Sequence, residues 1–232
     1  MKIAVKTRGP ASGFSMVETM MAVAILVILM IGVLHQVQKA QANYRVEDQK
    51  LDITQQQREF IDMFTRDLHQ VGYPSPASFG VNALADTRVS AGLWSIKNNS
   101  LTIEGDLDGN GVVQIVTYAY DSGAGCPGGV ACILRTATPK VPGGVAVTTA
   151  GVQNVVPPGA QGIFTAYKAN GTTQGLPLGP PAGATTGDAT YQQLRQIKNV
   201  RVTLTLLGAG REMNGATAIQ VNMTGTARIP NN

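Results

Sequence analysis

Four groups of residues in this chain have the types and spacing that chemistry would need. The stretch "GDLDGNG" places Asp106, Asp108 and Asn110 at alternate positions ahead of Gly111. Oxygen ligands at that spacing match the first half of a calcium loop, in which hard donors surround the ion and a glycine permits the turn. Counted from Asp106, the twelfth position is Thr117 and not the bidentate Glu such a loop needs. One reading is therefore a bound Ca²⁺ held by Asp106, Asp108, Asn110 and the Val112 carbonyl; the other is an ordinary Asp/Gly β-turn. The second group is Cys126 and Cys132, the only cysteines. Their even number, a spacing that is not C-x-x-C and the lack of a nearby His favour a disulfide across "CPGGVAC", given an oxidising compartment. Third, "GAGCPG" formally matches G-x-G-x-x-G, but Cys and Pro fill it and a strand is expected to follow, so no dinucleotide site is expected. His35 and His69 are the only histidines, neither has a nucleophile or carboxylate at motif spacing, and no enzymatic activity is expected. The fourth is a single carboxylate, Glu18, inside an apolar run.

That run extends from Phe14 to Leu34, and Glu18 is its only strongly polar residue. As a helix it would reach roughly 30 Å, about the thickness of a bilayer's hydrocarbon core. The preceding "MKIAVKTRGPASG" carries Lys2, Lys6 and Arg8 with no acid, which keeps it cytoplasmic and sends the rest of the chain outward. A carboxylate in such a helix needs a cation, and cutting between Gly13 and Phe14 would create one, the α-amino group of Phe14. The competing reading is a secretory signal peptide cleaved after Ala42, at "AQA". The apolar run is longer than the usual ~7 to 15 residues for that, and His35, Gln36, Gln38 and Lys39 intervene.

The sequence "G-FSMVE" followed by an apolar helix resembles the type IV pilin signature. The resemblance implies that a prepilin peptidase cleaves after Gly13 and N-methylates Phe14, and that Glu18 guides assembly into a filament. The leader is somewhat longer than many in that family. A second stretch, "MFTRDLHQVGYPSP", resembles PilW-type minor pilins and the J-type pseudopilins of type II secretion. Other major and minor pilins and an inner-membrane assembly platform are the further partners this implies. The location implied is a single-pass inner-membrane protein with a periplasmic head that passes into a cell-surface pilus. Arg66 and Asp67 within this stretch read either as a fixed ion pair or cap contact, or as a solvated charged face.

No Pro or turn cluster interrupts the chain from Phe14 to "GYPSP" at Gly72–Pro76, so one helix is expected to run nearly to Gly72. In its second half Phe60, Ile61, Phe64, Leu68 and Val71 recur at helical steps among charged residues, which predicts a half-buried helix. Beyond it, short apolar or alternating runs bounded by turns predict strands, among them a "KNNS" hairpin and "VRVTLTL". The expectation is an α+β, pilin-like fold: a leader over 1–13, a transmembrane helix over 14–34, its amphipathic continuation over 35–72, and a β-rich head over 73–232 with one antiparallel sheet laid on the helix. Trp94 is expected in the sheet's core. "PKVPGGVAVTTAGVQNVVPPGAQG" and "NGTTQGLPLGPPAGATTGDAT" read as surface loops, with adhesion as one use of them. The formal charge of +4 owes three groups to the leader and the remaining basic residues are scattered, so no nucleic-acid partner is expected.

Overall fold

The computed structural model describes residue 13 and residues 15–160, 162–211 and 218–230. Residues 1–12 of the expected leader, and Phe14, lie outside the described residues. Helix α1 spans Met16–Gln70, 55 residues without a proline. The chain forms two compact units, Met1–Glu47 and Asp48–Asn232. In the first, every described side chain up to Leu34 is exposed.

Within the second unit α1 buries Ile53, Gln57, Phe60, Phe64, Asp67 and Leu68, spaced three and four residues apart along one stripe. Arg58, Glu59, Asp62 and Arg66 face solvent, as the pattern predicts. The helix stops where expected. Gly72 adopts φ 83°, which only glycine takes at little cost, and its N–H donates to the Glu104 carbonyl at 3.0 Å.

Two antiparallel sheets follow, where one was expected. Strands β1 (Leu93–Lys97), β2 (Ser100–Gly105), β3 (Gln114–Asp121), β4 (Cys132–Pro139) and β5 (Val147–Gln153) pair in chain order. The "KNNS" hairpin is present, with Lys97 opposite Ser100. The second sheet has the order β7 (Thr173–Gln174), β6 (Phe164–Lys168), β8 (Ile197–Arg211) and β9 (Ala218–Arg228). The chain leaves the first sheet after β5, where Asn154 takes φ 58° and Pro157 and Pro158 can donate to no ladder. A bridge from Val155, just after β5, to Leu206 of β8 links the two sheets, with Val156 N–H donating to the Thr205 carbonyl and Leu207 N–H to the Asn154 carbonyl beside it.

Both stretches read as loops contain structure. The first holds β5, whose leading residues Val147, Thr148 and Thr149 are exposed, so no burial alternation marks it in the sequence. The second holds β7 and runs into helix α2 (Ala189–Arg195), whose first turn is capped by the Asp188 carboxylate accepting from Thr190 N–H at 2.8 Å and Tyr191 N–H at 3.2 Å. The same stretch is fastened to the head by backbone bonds: Leu178 exchanges two with Ile96, and Leu84 N–H donates to the Ala184 carbonyl.

The core beneath the helix is aromatic. Phe64 lies 5.3 Å from Tyr118 and 5.9 Å from Phe164, and Phe60 lies edge-on to Tyr118 at 5.9 Å. Strand glycines let the helix come close: a Cβ on Gly225 would meet Ile61 at 2.8 Å, and one on Gly105 would meet the Gln70 carbonyl oxygen at 2.6 Å. Trp94 is partly buried and packs on Leu84, Ala91 and Tyr191 beside α2. The backbone contact at Gly105 cannot yield by rotating a side chain. Gly105→Ala is therefore expected to destabilise the head by about 1–3 kcal/mol, whereas Gly187→Ala, with open space around it, should shift stability by less than about 0.5 kcal/mol. Urea unfolding followed by the fluorescence of Trp94, the only tryptophan, measures both.

Candidate functional site

Glu18 lies in the first turn of α1, where a negative charge is favoured by the helix dipole. Just ahead of it the Ser15 carbonyl accepts from the Thr19 N–H at 3.1 Å and the Thr19 hydroxyl at 3.3 Å, closing the turn. Among the described residues no cation is paired with Glu18. Around and after it Val17, Met20, Met21, Ile25, Leu26 and Ile28 are all more than half exposed. This helix is the one among the described residues that is long and apolar enough to cross a membrane. Burying such a surface is favourable at roughly 25 cal/mol per Å², and its length and composition are those of a membrane anchor or a signal segment. Gly13 is exposed at the near end.

The Arg66–Asp67 pair resolves differently from either expectation. Arg66 is exposed, while Asp67 is buried and accepts from partners on the sheet. The Tyr118 hydroxyl on β3 donates to Asp67 Oδ2 at 2.5 Å, and Arg135 Nε on β4 donates to the same oxygen at 2.9 Å. Tyr118 and Arg135 stand directly opposite each other in the β3–β4 ladder, so one register delivers both donors. Burial pushes the Tyr118 phenol up, with the Asp67 charge adding to it, which keeps the hydroxyl protonated and donating. The sequence carried only half of this: the helical period puts Asp67 between Phe64 and Leu68, but nothing local marks Tyr118 and Arg135 as its partners.

A second buried pair joins Glu104 at the end of β2 to Lys140 just after β4. Lys140 Nζ donates to Glu104 Oε2 at 2.7 Å and to the carbonyls of Leu84 at 2.6 Å and Val89 at 3.0 Å, and Glu104 Oε2 also accepts from Ala91 N–H at 2.8 Å. All three protons of the ammonium are thus used. Burial pushes the Glu104 carboxyl up, and the Lys140 charge and hydrogen bond pull it back. Nothing in the sequence signals it: inward Leu101 and Ile103 alternate along β2 and would turn Glu104 outward, yet Glu104 and Gly105 are buried too.

Most side-chain oxygens of the "GDLDGNG" loop accept hydrogen bonds from within or beside it. Asp106 Oδ2 accepts from Gly111 N–H, Asp108 from the Asn110 N–H and amide and from the Gln114 amide, and Asn110 Oδ1 from Val112 N–H. Asp106 Oδ1 is buried with no partner. Apart from that oxygen the residues form a hydrogen-bonded turn, and a Ca²⁺ would have to displace these donors. Among the described residues no three His, Cys, Asp or Glu side chains gather as a metal-binding group. Cys126 and Cys132 form the disulfide, with Cα atoms 5.9 Å apart, across the turn between β3 and β4. Within that turn Asp121 Oδ1 accepts from Gly123 and Gly125 N–H, which hold its carboxyl below the usual range. His35 and His69 are both exposed.

No protein-family model, curated protein or solved structure matches the chain.

Two outcomes follow from these buried and turn-held charges. Lys140→Met removes the ammonium donor from Glu104 and two carbonyls and should cost about 3–5 kcal/mol, while Glu104→Gln with Lys140→Met should cost clearly less, because no buried charge is then left alone; urea unfolding of these two variants against the unchanged protein checks this. Asp121, and Asp188 whose carboxyl is held down by the Gly183 N–H and the α2 cap, have lowered folded pKa values. Their stabilising contribution is complete above the ordinary aspartate value of about 3.9 and is lost as pH falls through the lower folded values. The urea midpoint should fall below pH 4, and less steeply in the Asp121→Asn, Asp188→Asn double variant.

Proposed function

We propose that this protein is a minor subunit of a type IV pilus or a closely related filament, made as an inner-membrane prepilin and contributing to filament assembly. The observation that carries the reading is Glu18: one carboxylate, five positions beyond Gly13, in the first turn of a helix whose exposed surface is otherwise apolar. Neither a plain membrane anchor nor a signal peptide needs a charge there. An assembling helix does, because a carboxylate entering a packed apolar bundle must find a cation.

On this reading a prepilin peptidase cuts after Gly13 and methylates the new N-terminus at Phe14. Glu18 then pairs with the Phe14 amine of the same or a neighbouring subunit as the apolar helices pack, and the pairing sets the depth at which an incoming subunit docks. The Cys126–Cys132 disulfide suits a head that folds in the periplasm and ends on the cell surface. The "RDLHQVGYPSP" helix end, through its likeness to J-type pseudopilins, keeps a type II secretion pseudopilus as the second reading. In either filament other pilins and the inner-membrane assembly platform are the partners.

Glu18→Ala should leave cleavage and membrane level unchanged and lower the amount of this subunit in sheared surface filaments at least tenfold, read by immunoblot of the membrane and sheared fractions. Normal incorporation of the variant would contradict the proposal.

A further inference from the structure

A cavity of about 280 Å³ opens where the loop following α1 meets α2, with Ser75, Asn82, Thr186, Tyr191 and Arg195 on its walls. The loop reaching it from β7 does not hang free: Thr186 N–H donates to the Asn82 carbonyl at 2.9 Å, and the Thr186 hydroxyl donates to the Asn82 side-chain oxygen at 3.3 Å. The walls are therefore preformed, which lowers the ordering cost of binding.

Two of the wall groups lack partners among the described residues. Tyr191 is only 4% exposed as a residue, but its hydroxyl is not sealed from solvent: it keeps accessible surface and makes no hydrogen bond to a described residue. A hydroxyl that reaches the surface from an otherwise buried ring is free to bond water or a ligand. Burial pushes this phenol up, so it stays a neutral donor. Arg195 has no carboxylate partner, and its guanidinium sits 6.0 Å from the Tyr191 ring centroid, steadied over the aromatic face. Around these lie short polar groups that can both give and take hydrogen bonds: the Ser75 hydroxyl, which shares one proton with Ser78 at 3.0 Å, and the Asn82 amide nitrogen, which donates to no described residue.

We propose that this cavity binds one acidic sugar unit, a uronic acid, with Arg195 on its carboxylate and Tyr191, Ser75 and Asn82 on its ring hydroxyls. A guanidinium fork matches a carboxylate. The mixed donors and acceptors suit a polyhydroxylated ring better than a peptide end, which offers a carboxylate but few hydroxyls. The volume of about 280 Å³ lies just below the usual range of ligand sites, about 300 to 1,000 Å³, and so suits nothing larger than a single ring. Such a site would let the head hold an acidic surface polysaccharide whatever filament carries it, and it stands independently of the assembly reading.

The test is calorimetric titration of the full chain in detergent with glucuronate and with galacturonate, with glucose and a short peptide bearing a free C-terminal carboxylate as comparisons. Saturable binding of a uronate, at least tenfold tighter than glucose and the peptide, is expected. Arg195→Gln should weaken uronate binding at least tenfold and erase the preference over glucose, and Tyr191→Phe should weaken it while keeping the preference, both at unchanged melting temperature. No saturable uronate binding, equal binding of glucose, an unaffected Arg195→Gln variant, or saturation by the peptide in place of the uronates would each overturn the proposal.

Discussion

The head depends on one buried carboxylate. Asp67 sits in the last turns of α1, out of contact with water, and is tolerable there only because Tyr118 and Arg135 both donate to it. That requirement fixes the register of β3 on β4, since a slip of one residue would turn one donor to the other face and leave Asp67 with a single partner. The β3–β4 hairpin is then secured at each end. Near its turn the Cys126–Cys132 bridge closes the loop, with Cys132 opposite Asp121 in the ladder. At its open end Pro139 pairs with Gln114, and Lys140 passes inward to Glu104. Helix end, two strands and the helix-stop loop are thus bound into a single polar frame around the aromatic core.

Much of this architecture could be read from the chain. The helix and its stop follow from the absence of Pro and the glycine and prolines at Gly72–Pro76, and the "KNNS" hairpin and "VRVTLTL" appear as β1–β2 and within β8. What escaped the sequence has a common physical cause: it depends on partners far away in the chain. β5 is an edge strand with its first half in solvent, so burial imposes no alternation on it. α2 is only seven residues long and follows a Gly/Pro/Thr-rich stretch whose composition masks its Asp188 cap. Asp67, Glu104 and Lys140 look like ordinary surface charges until their partners, up to 68 residues away, are in place. The cysteine pair was legible because the two lie close in sequence and no others compete.

The two units carry different demands. In the first, the proposed role rests on a single charge set in apolar surroundings, and the motif that suggests it is local and readable. In the second, the proposed binding site is a cavity whose walls come from the loop after α1, the Thr186 stretch and α2. Cavities of that kind are assembled by folding, and no short motif announces them. The stretch of low-complexity sequence that contributes Thr186 earns its place as a wall of that cavity.

The central claim is that Glu18 serves a helix freed at its N-terminus by cleavage after Gly13. The most direct measurement is the mass and N-terminal sequence of the mature chain recovered from membranes and from sheared surface fractions. A chain beginning at N-methylated Phe14 is the result predicted. One beginning at Asn43 would make the head a secreted domain and contradict the account of Glu18.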